Sequence, residues 1–570
     1  MQSSNSAGRE DDLQGSSTTP AWVREIFSHY NSQIASQFLL SGNIHDLFSP
    51  GAGDNPEFAS LPDYLGRVVV PRFDVVLSYD IGNGVRAERG GELLARWTDR
   101  APWPENKNAR QSMERITHLL RYLVNLRGLG QPRLKIAVVL KDAGLFVGVE
   151  DRREETHAAA FLIREWSRDP QFRSLDQASF LLAENLNDLH PLLRENTHAS
   201  RILIPPPSPR EIAGVLHAHR TRYPAALELL AQNLDAAGEQ LRGSTLSQVL
   251  RLLKLREHEN SPLAFRELSK HQSEFVAREC GGMVEILGTS TILDDWFGPE
   301  ALKRRLREDI ELWNRGVDRL MPMGYLISGP VGTGKTFLIK CLAGEARIPV
   351  VVVKNFRDKW YGSTEGNLEK IFRTIKALGR CYVFVDEADQ TLGRRDSGAS
   401  EPGVSGRIYS MIAQEMSDKA NRGRIVWILA TSRPDLLEVD LKRPGRIDLK
   451  IPLLPTATPA ESWSLLRSLA RSHGIPPDEL PAEPEASGIQ MPSWMTAGEI
   501  DALLTDLCRR RETSGQPAGA LLASTMENYL RPIPLATIEF QAKLALAECT
   551  HREFVPEGFR TRPAGAMGES

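Results

Sequence analysis

Residues 329–336 read Gly329-Pro330-Val331-Gly332-Thr333-Gly334-Lys335-Thr336, a complete G-x-x-x-x-G-K-[ST] loop. The apolar run Tyr325, Leu326, Ile327 leads in and Phe337, Leu338, Ile339 leads out, which places the loop between a strand and a helix. Glycines let the backbone curl so that successive N–H groups face a polyphosphate, and the following helix adds its positive N-terminal end. Residues 329–337 are therefore the candidate nucleotide-binding set. Lys335 is expected to reach the β- and γ-phosphates of ATP, and the Thr336 hydroxyl to sit on Mg²⁺.

The next signal outward is the apolar run Cys381, Tyr382, Val383, Phe384, Val385, ending in Asp386 and Glu387. A lone acidic pair at a strand end is commonly a turn. Behind a full phosphate loop it predicts a buried strand delivering two acids to a nucleotide site. Asp386 is expected to hold the metal through water, and Glu387 to polarise the water that attacks the γ-phosphate.

A chain of 570 residues, 41% apolar, predicts two or three domains with sizeable cores. Its formal charge of −3 gives no global reason to expect nucleic acid or an anionic membrane as a partner. The five cysteines, Cys280, Cys341, Cys381, Cys508 and Cys549, show no C-x-x-C pairing and read as reduced cytoplasmic thiols. No run approaches the roughly 18 apolar residues of a membrane span, and the N-terminus lacks a signal-peptide pattern. A soluble intracellular protein is expected.

Residues 1–20 are polar and expected to be a disordered tail. From 21 to 275, short apolar runs alternate with helical periodicity. Phe38 to Leu40, Val68 to Val70, Val75 to Leu77, Ile136 to Leu140, Phe180 to Leu182 and Ile202 to Ile204 read as strands. Stretches 111–126, 157–167 and 209–220 read as helices, and 223–275 as a helical appendix. Strands alternating with helices predict an α/β layer with a parallel sheet. The chemistry of a nucleotide site is missing there. Ser41-Gly42-Asn43-Ile44-His45 follows the first strand without G-K-[ST], and Asp142-Ala143 stands where an Asp-Glu pair would be wanted. His217 and His219, two apart on a helix, and His190 and His198 make no ligand set; solvent-facing histidines are expected.

Further motifs lie on either side of Asp386. Residues 293–313 (LDDWFGPEALKRRLREDIELW) form an amphipathic helix start, Lys359-Trp360-Tyr361-Gly362-Ser363-Thr364-Glu365 a basic-aromatic loop, and Gly403-Val404-Ser405-Gly406-Arg407 a Gly-rich entry to a helix. The strand VWILATS ends at Thr431 and Ser432, Lys442-Arg443-Pro444-Gly445-Arg446-Ile447-Asp448 follows, and Thr496-Ala497-Gly498-Glu499-Ile500 opens a later helix. Together with the phosphate loop and acidic pair, these segments resemble the AAA family of ring-forming ATPases. The resemblance is dense over about 290–455, loose over 456–550 and architectural only before 280. The layout is similar to a bacterial and plastid open-reading-frame group in which a degenerate AAA-like half precedes one active module. The implied fold class is α/β, a P-loop NTPase parallel sheet with a helical lid, preceded by a degenerate AAA-like α/β domain. The implied domains are 21–275, a large nucleotide-binding subdomain 276–456, a helical lid 457–550 with helices near 457–475 and 496–512, and a flexible tail 551–570.

The resemblance implies roles one residue at a time. Trp360, with Tyr361 beside it, matches the aromatic that grips polypeptide in a central pore, and Ser363 departs from the family's Glu. Ser432 stands where the family places a polar sensor, usually Asn. Arg446 takes the place of the arginine finger that enters a neighbouring subunit's site, and Leu449 replaces a second arginine. Gly498 lets the backbone approach the adenine and ribose, and Thr496 with Glu499 equally makes an ordinary capped helix start. The implied function is a Mg²⁺-dependent ATP hydrolase, assembled with itself into a homo-oligomeric ring, a hexamer by resemblance, that remodels a protein substrate or works through an adaptor. The alternative is a regulatory or scaffold ATPase whose nucleotide state gates partner binding without threading.

Overall fold

The computed structural model describes residues 19–49, 58–98, 108–129, 134–149, 153–173, 175–288, 291–354, 364–392, 404–481, 489 and 491–560. The expected tail 1–20 lies outside them except at its last two residues. The chain divides into two compact units, one of Met1–Phe275 with Tyr361–Ala377, the other of Val276–Trp360 with Leu378–Ser570.

The first unit is built from β1 (Gln37–Gly42), β2 (Leu47–Phe48), β3 (Ala59–Ser60), β4 (Val75–Asp80), β5 (Gly84–Arg89), β6 (Ile136–Leu140), β7 (Gln177–Ala183) and β8 (Ala199–Ile204). Six of these form a sheet in the order β5-β4-β6-β7-β1-β8, parallel apart from the β4–β5 hairpin. β1, β6 and β7 are buried along their whole length, so both sheet faces must be covered. One face packs Met113, Ile116, Leu120, Ile163 and Trp166 from helices Ala109–Gly128 and Glu154–Arg168; the other packs Trp22, Phe27 and Tyr64. The predicted strand at Val68 to Val70 is not one. Val68 ends helix Leu61–Val68, which Ser60 caps with Pro62 in its first turn, and Pro71 has no N–H to give to a ladder. The leucine-rich stretch 223–275 folds into helices around Leu227, Leu234, Val249 and Leu253. His219 departs from its solvent-facing expectation: it is 3% exposed, between the rings of Phe58 and Tyr223. His190 is also buried, its ring 2.7 Å from His157.

The second unit holds β9 (Val284–Leu287), β10 (Gly324–Ser328), β11 (Val350–Val353), β12 (Cys381–Val385), β13 (Ile425–Thr431) and β14 (Leu449–Pro452) in the order β14-β10-β13-β12-β11-β9. Only β9 runs antiparallel. The phosphate-loop strand β10 is thus an interior strand, flanked by β13 and the edge strand β14. Tyr325 anchors it from below, donating its hydroxyl to the buried Asp309 carboxylate at 2.8 Å from helix Glu300–Asn314. Helices Pro459–Ser472, Ala497–Ser514 and Ala518–Glu527 form a separate cluster around Leu466, Leu503, Leu507 and Leu522.

Two expectations about the C-terminal stretch change. Helix Leu535–Glu548 packs on β10 and β14 of the large sheet and not with the lid cluster. Residues 551–560, read as the start of a flexible tail, are folded: Phe554 is 1% exposed inside the core that holds Trp313 and Tyr325. A short polar stretch thus contributes one phenylalanine to that core, while Phe559 packs edge-on against Trp494.

Candidate nucleotide-binding site

The loop at 329–336 joins buried β10 to helix Lys335–Ala346. At Gly329 a Cβ would stand 2.0 Å from the Leu453 carbonyl oxygen, so no side chain fits. Gly334 has φ of 84°, the left-handed region in which glycine carries no Cβ penalty, and it turns the chain directly into the helix. The Thr333 hydroxyl donates to the Pro330 carbonyl at 2.9 Å and tightens the turn. Gly498, on the lid helix, donates its N–H to the Gly332 carbonyl at 2.8 Å, so the lid meets the loop backbone to backbone. Val331 and Phe337 are both exposed at the surface of the loop and helix start.

Lys335 extends back along the loop, donating to the carbonyls of Gly329 and Pro330, both at 2.9 Å, and to the Ser432 hydroxyl at 3.1 Å. Burial pushes its ammonium down to about 8, against the pull of Asp386, Asp389 and Glu387. One cation therefore links the phosphate loop to the sensor position. Beside it the Thr336 hydroxyl donates to the Asp386 carboxylate at 3.0 Å. A hydroxyl and a carboxylate this close, at a helix start, form an oxygen donor set of the kind a hard divalent cation takes. Glu387 sits in the left-handed region, φ 46°, with its N–H bonded to the Asp386 carboxylate at 3.0 Å.

Asp389 was not singled out from the sequence, although it lies only three positions past Asp386. It accepts from the Thr431 hydroxyl at 2.6 Å, and that hydroxyl in turn accepts the Arg433 N–H at 2.9 Å. These bonds fix the backbone on either side of Ser432.

Arg446 stands apart from this cluster. It is 8% exposed, donating from Nε to the Ser417 hydroxyl at 2.6 Å and from Nη1 to the carbonyl and carboxylate of Asp440. That bond holds the Asp440 carboxyl below its usual range, against the opposing push of burial. Arg443 is the outward-facing cation of the same turn, 60% exposed and 3.2 Å from Asp440. Both border a cleft of about 610 Å³ with Tyr409 and Glu415. Leu449, where a second arginine was looked for, is a buried residue of β14. Trp360, Tyr361 and Ser363 lie outside the described residues, as does the side chain of Arg407.

Matched ladders relate the two sheets. Leu140 pairs with Leu181 as Val385 pairs with Leu429, and Ser41 pairs with Ala183 as Ser328 pairs with Thr431. By register, Lys141 and Asp142 take the places of Asp386 and Glu387, and Glu184 takes the place of Ser432. This moves the sequence reading of Asp142-Ala143 back by one residue. Asp142 even shares the left-handed conformation of Glu387, with φ of 49°. Lys141 is 3.5 Å from Glu88 and Asp142 is 3.7 Å from His45.

Residues 9–205 match the family described as AAA+ chaperone, N-terminal Rossmann-like domain, and residues 325–454 match the ATPase family associated with various cellular activities (AAA). The peroxisomal ATPase PEX6 of Penicillium chrysogenum is 32% identical over 279 residues, 47% of this chain and 18% of that protein. The cell division cycle protein 48 homolog of Archaeoglobus fulgidus is 29% identical over 268 residues, 42% of this chain and 36% of that protein. The ribosome biogenesis ATPase RIX7 of Saccharomyces cerevisiae is 33% identical over 157 residues, 27% of this chain and 18% of that protein. The matched stretch thus spans little more than a third of such relatives at most. Two matches, falling in the same order as the two sheets, make the chain a member of the AAA+ ATPase family, with an AAA+ chaperone N-terminal domain ahead of an AAA module.

Proposed function

We propose that the chain is a Mg²⁺-dependent ATP hydrolase that works as a homo-oligomeric ring, a hexamer by family likeness, and uses hydrolysis to remodel protein substrates through a central pore. The observation that carries the reading is Lys335, bonded at once to the loop carbonyls and to Ser432, with the Thr336–Asp386 pair beside it. The loop N–H groups bind the phosphates, and Lys335 exchanges its carbonyl partners for the β- and γ-phosphate oxygens. Thr336 and Asp386 would hold Mg²⁺, which supplies charge neutralisation on the phosphate oxygens. Glu387 accepts the proton of the attacking water, and Ser432 orients that water. Gly498 places the lid over the base and sugar.

Arg446, in the motif position, enters a neighbouring subunit's site, together with the more exposed Arg443 that shares Asp440 with it. The chaperone description of the N-terminal family match supports protein, directly or through an adaptor, as the substrate class. The aromatic pair Trp360-Tyr361 supports threading. The scattered free cysteines support a cytoplasmic setting, and among the described residues no helix is long and apolar enough to cross a membrane. The near-neutral charge gives no global reason to expect nucleic acid as a partner.

One observation favours a nucleotide-gated scaffold instead: Arg446 is bonded within its own chain and Ser432 is shorter than the usual sensor. Steady-state ATPase rate against protein concentration, with particle size recorded, separates the two. The motor reading expects a cooperative rise that tracks a ring-sized species and falls about 10²-fold or more in Glu387→Gln. A monomer that binds ATP without turnover leaves the scaffold. Trp360→Ala should then keep basal hydrolysis and lose remodelling if threading operates.

A further inference from the structure

Helix Leu535–Glu548 follows the lid in sequence and returns to the large sheet. Two consecutive side chains on it touch the two loops that bracket the phosphate position. The Val331 N–H, in the first limb of the phosphate loop, donates to Gln541 Oε1 at 3.1 Å. The Arg433 guanidinium, immediately after Ser432, lies 5.3 Å from the centre of the Phe540 ring. Gln541 is 8% exposed, so its amide is held in place and not free to wander in solvent.

The helix is fixed at its far end as well. Glu548 bonds both Lys442 and Lys450, the latter at 2.8 Å, and those bonds hold its carboxyl down although burial pushes the other way. One residue past Cys549, Thr550 exchanges bonds with Lys450 of β14: its N–H donates to the Lys450 carbonyl at 3.2 Å, and its hydroxyl accepts the Lys450 N–H at 3.1 Å. The helix is therefore a strut with one end clamped to β14 and its middle against the phosphate loop.

We infer that Gln541 is a positioning residue for nucleotide binding, setting the first limb of the phosphate loop from helix Leu535–Glu548. The inference rests on the nucleotide-site reading above. Lys335 takes its resting partners, the Gly329 and Pro330 carbonyls, from the limb that Gln541 holds, so the amide acts on the phosphates through the loop and not by contact. Val331 is 50% exposed, and water replaces the lost acceptor when Gln541 is changed. The fold should then survive while the loop samples more conformations before it closes on nucleotide.

The test uses the full chain and a fluorescent ATP analogue, titrated at equilibrium, with ATP turnover and thermal melting measured in parallel. Gln541→Met keeps the length and apolar contact but removes the acceptor. The expected result is a Kd and KM raised about two- to tenfold, the range of one net hydrogen bond, with kcat and melting temperature near wild type. Gln541→Glu keeps an acceptor and should recover most of that loss at high salt, where its added charge is screened. Glu548→Ala, which frees the strut's anchored end, should weaken binding in the same direction and add little on top of Gln541→Met. Unchanged affinity in Gln541→Met, a loss matched by a fall in melting temperature, or full additivity with Glu548→Ala would overturn the inference while leaving the nucleotide site intact. A wild-type chain that binds no nucleotide would overturn the site reading and this inference together.

Discussion

The two sheets share one strand order, including an antiparallel sixth strand at the same edge, and differ at the ends of three strands. After β10 the chain forms the glycine loop 329–334 and turns into helix Lys335–Ala346. After β1 it delivers Asp46, whose carboxylate accepts the N–H groups of Leu246 and Ser247 at 3.0 and 2.9 Å and the Asn43 amide at 3.0 Å. A helix start that could have met an anion is satisfied by the chain's own acid. At the ends of β6 and β7, Lys141 stands where Asp386 does and Glu184 where Ser432 does. A lysine in place of Asp386 would repel a cation, and a glutamate in place of Ser432 would repel a phosphate, if those two residues serve as proposed. Glu184 has been given a different partner. Burial opposes its ionisation, yet its bond to Lys370 at 2.5 Å holds the carboxyl below the usual range. The first sheet thus carries different charges from the second at three strand ends, and each of them is compensated inside its own unit.

The comparison is most exposed to a binding count. Calorimetry should give one ATP per chain, lost altogether in Lys335→Ala and unaffected in Asn43→Ala; two sites per chain would break it. Next in size, Asp46→Ala should lower the stability of the first unit by about 1–2 kcal/mol, read as an earlier melting transition, while ATP affinity stays constant. A drop in affinity would mean that the first sheet still takes part in binding. At the active sheet, Ser432→Asn should raise single-turnover hydrolysis about threefold if the shorter hydroxyl orients water less well, a change of under ~1 kcal/mol. No change would remove the sensor role from Ser432.

The smallest effect concerns pH. Burial, then the neighbouring His157, lowers the His190 pKa below the ordinary histidine value of about 6.5, so the fold prefers the neutral ring. The unfolded chain takes up that proton first as pH falls. The first unit should therefore keep full stability above about pH 6.5 and lose it below, melting a few degrees lower at pH 5.5 than at 7.5. The second unit's transition serves as the internal control.

Much of the candidate site was legible because its signals are local. The glycine loop, the apolar run of β12 and the acids that end it carry their meaning within a few residues. What escaped depended on distance or register. Gln541 meets Val331 across 210 positions and belongs to no motif. Lys141 was passed over because a one-residue offset at a strand end shows only in the ladder. Arg446 sits in the right motif, but exposure decides which of two neighbouring arginines faces outward, and a motif does not report exposure. Val68 to Val70 looked like a strand until Pro71 and the Ser60 cap were weighed together, and His219 looked polar where two rings bury it.

The first unit takes in residues 361–377 from the middle of the second unit's sequence, so the chain passes between units at 275–276, 360–361 and 377–378. Genetic recombination and limited proteolysis both deal in contiguous stretches, and neither can release the first unit whole with a single break. A fragment ending at residue 275 would leave Glu184 without the Lys370 ammonium, and one starting at 276 would carry away a helix that belongs elsewhere. No single cut of the chain yields either unit complete.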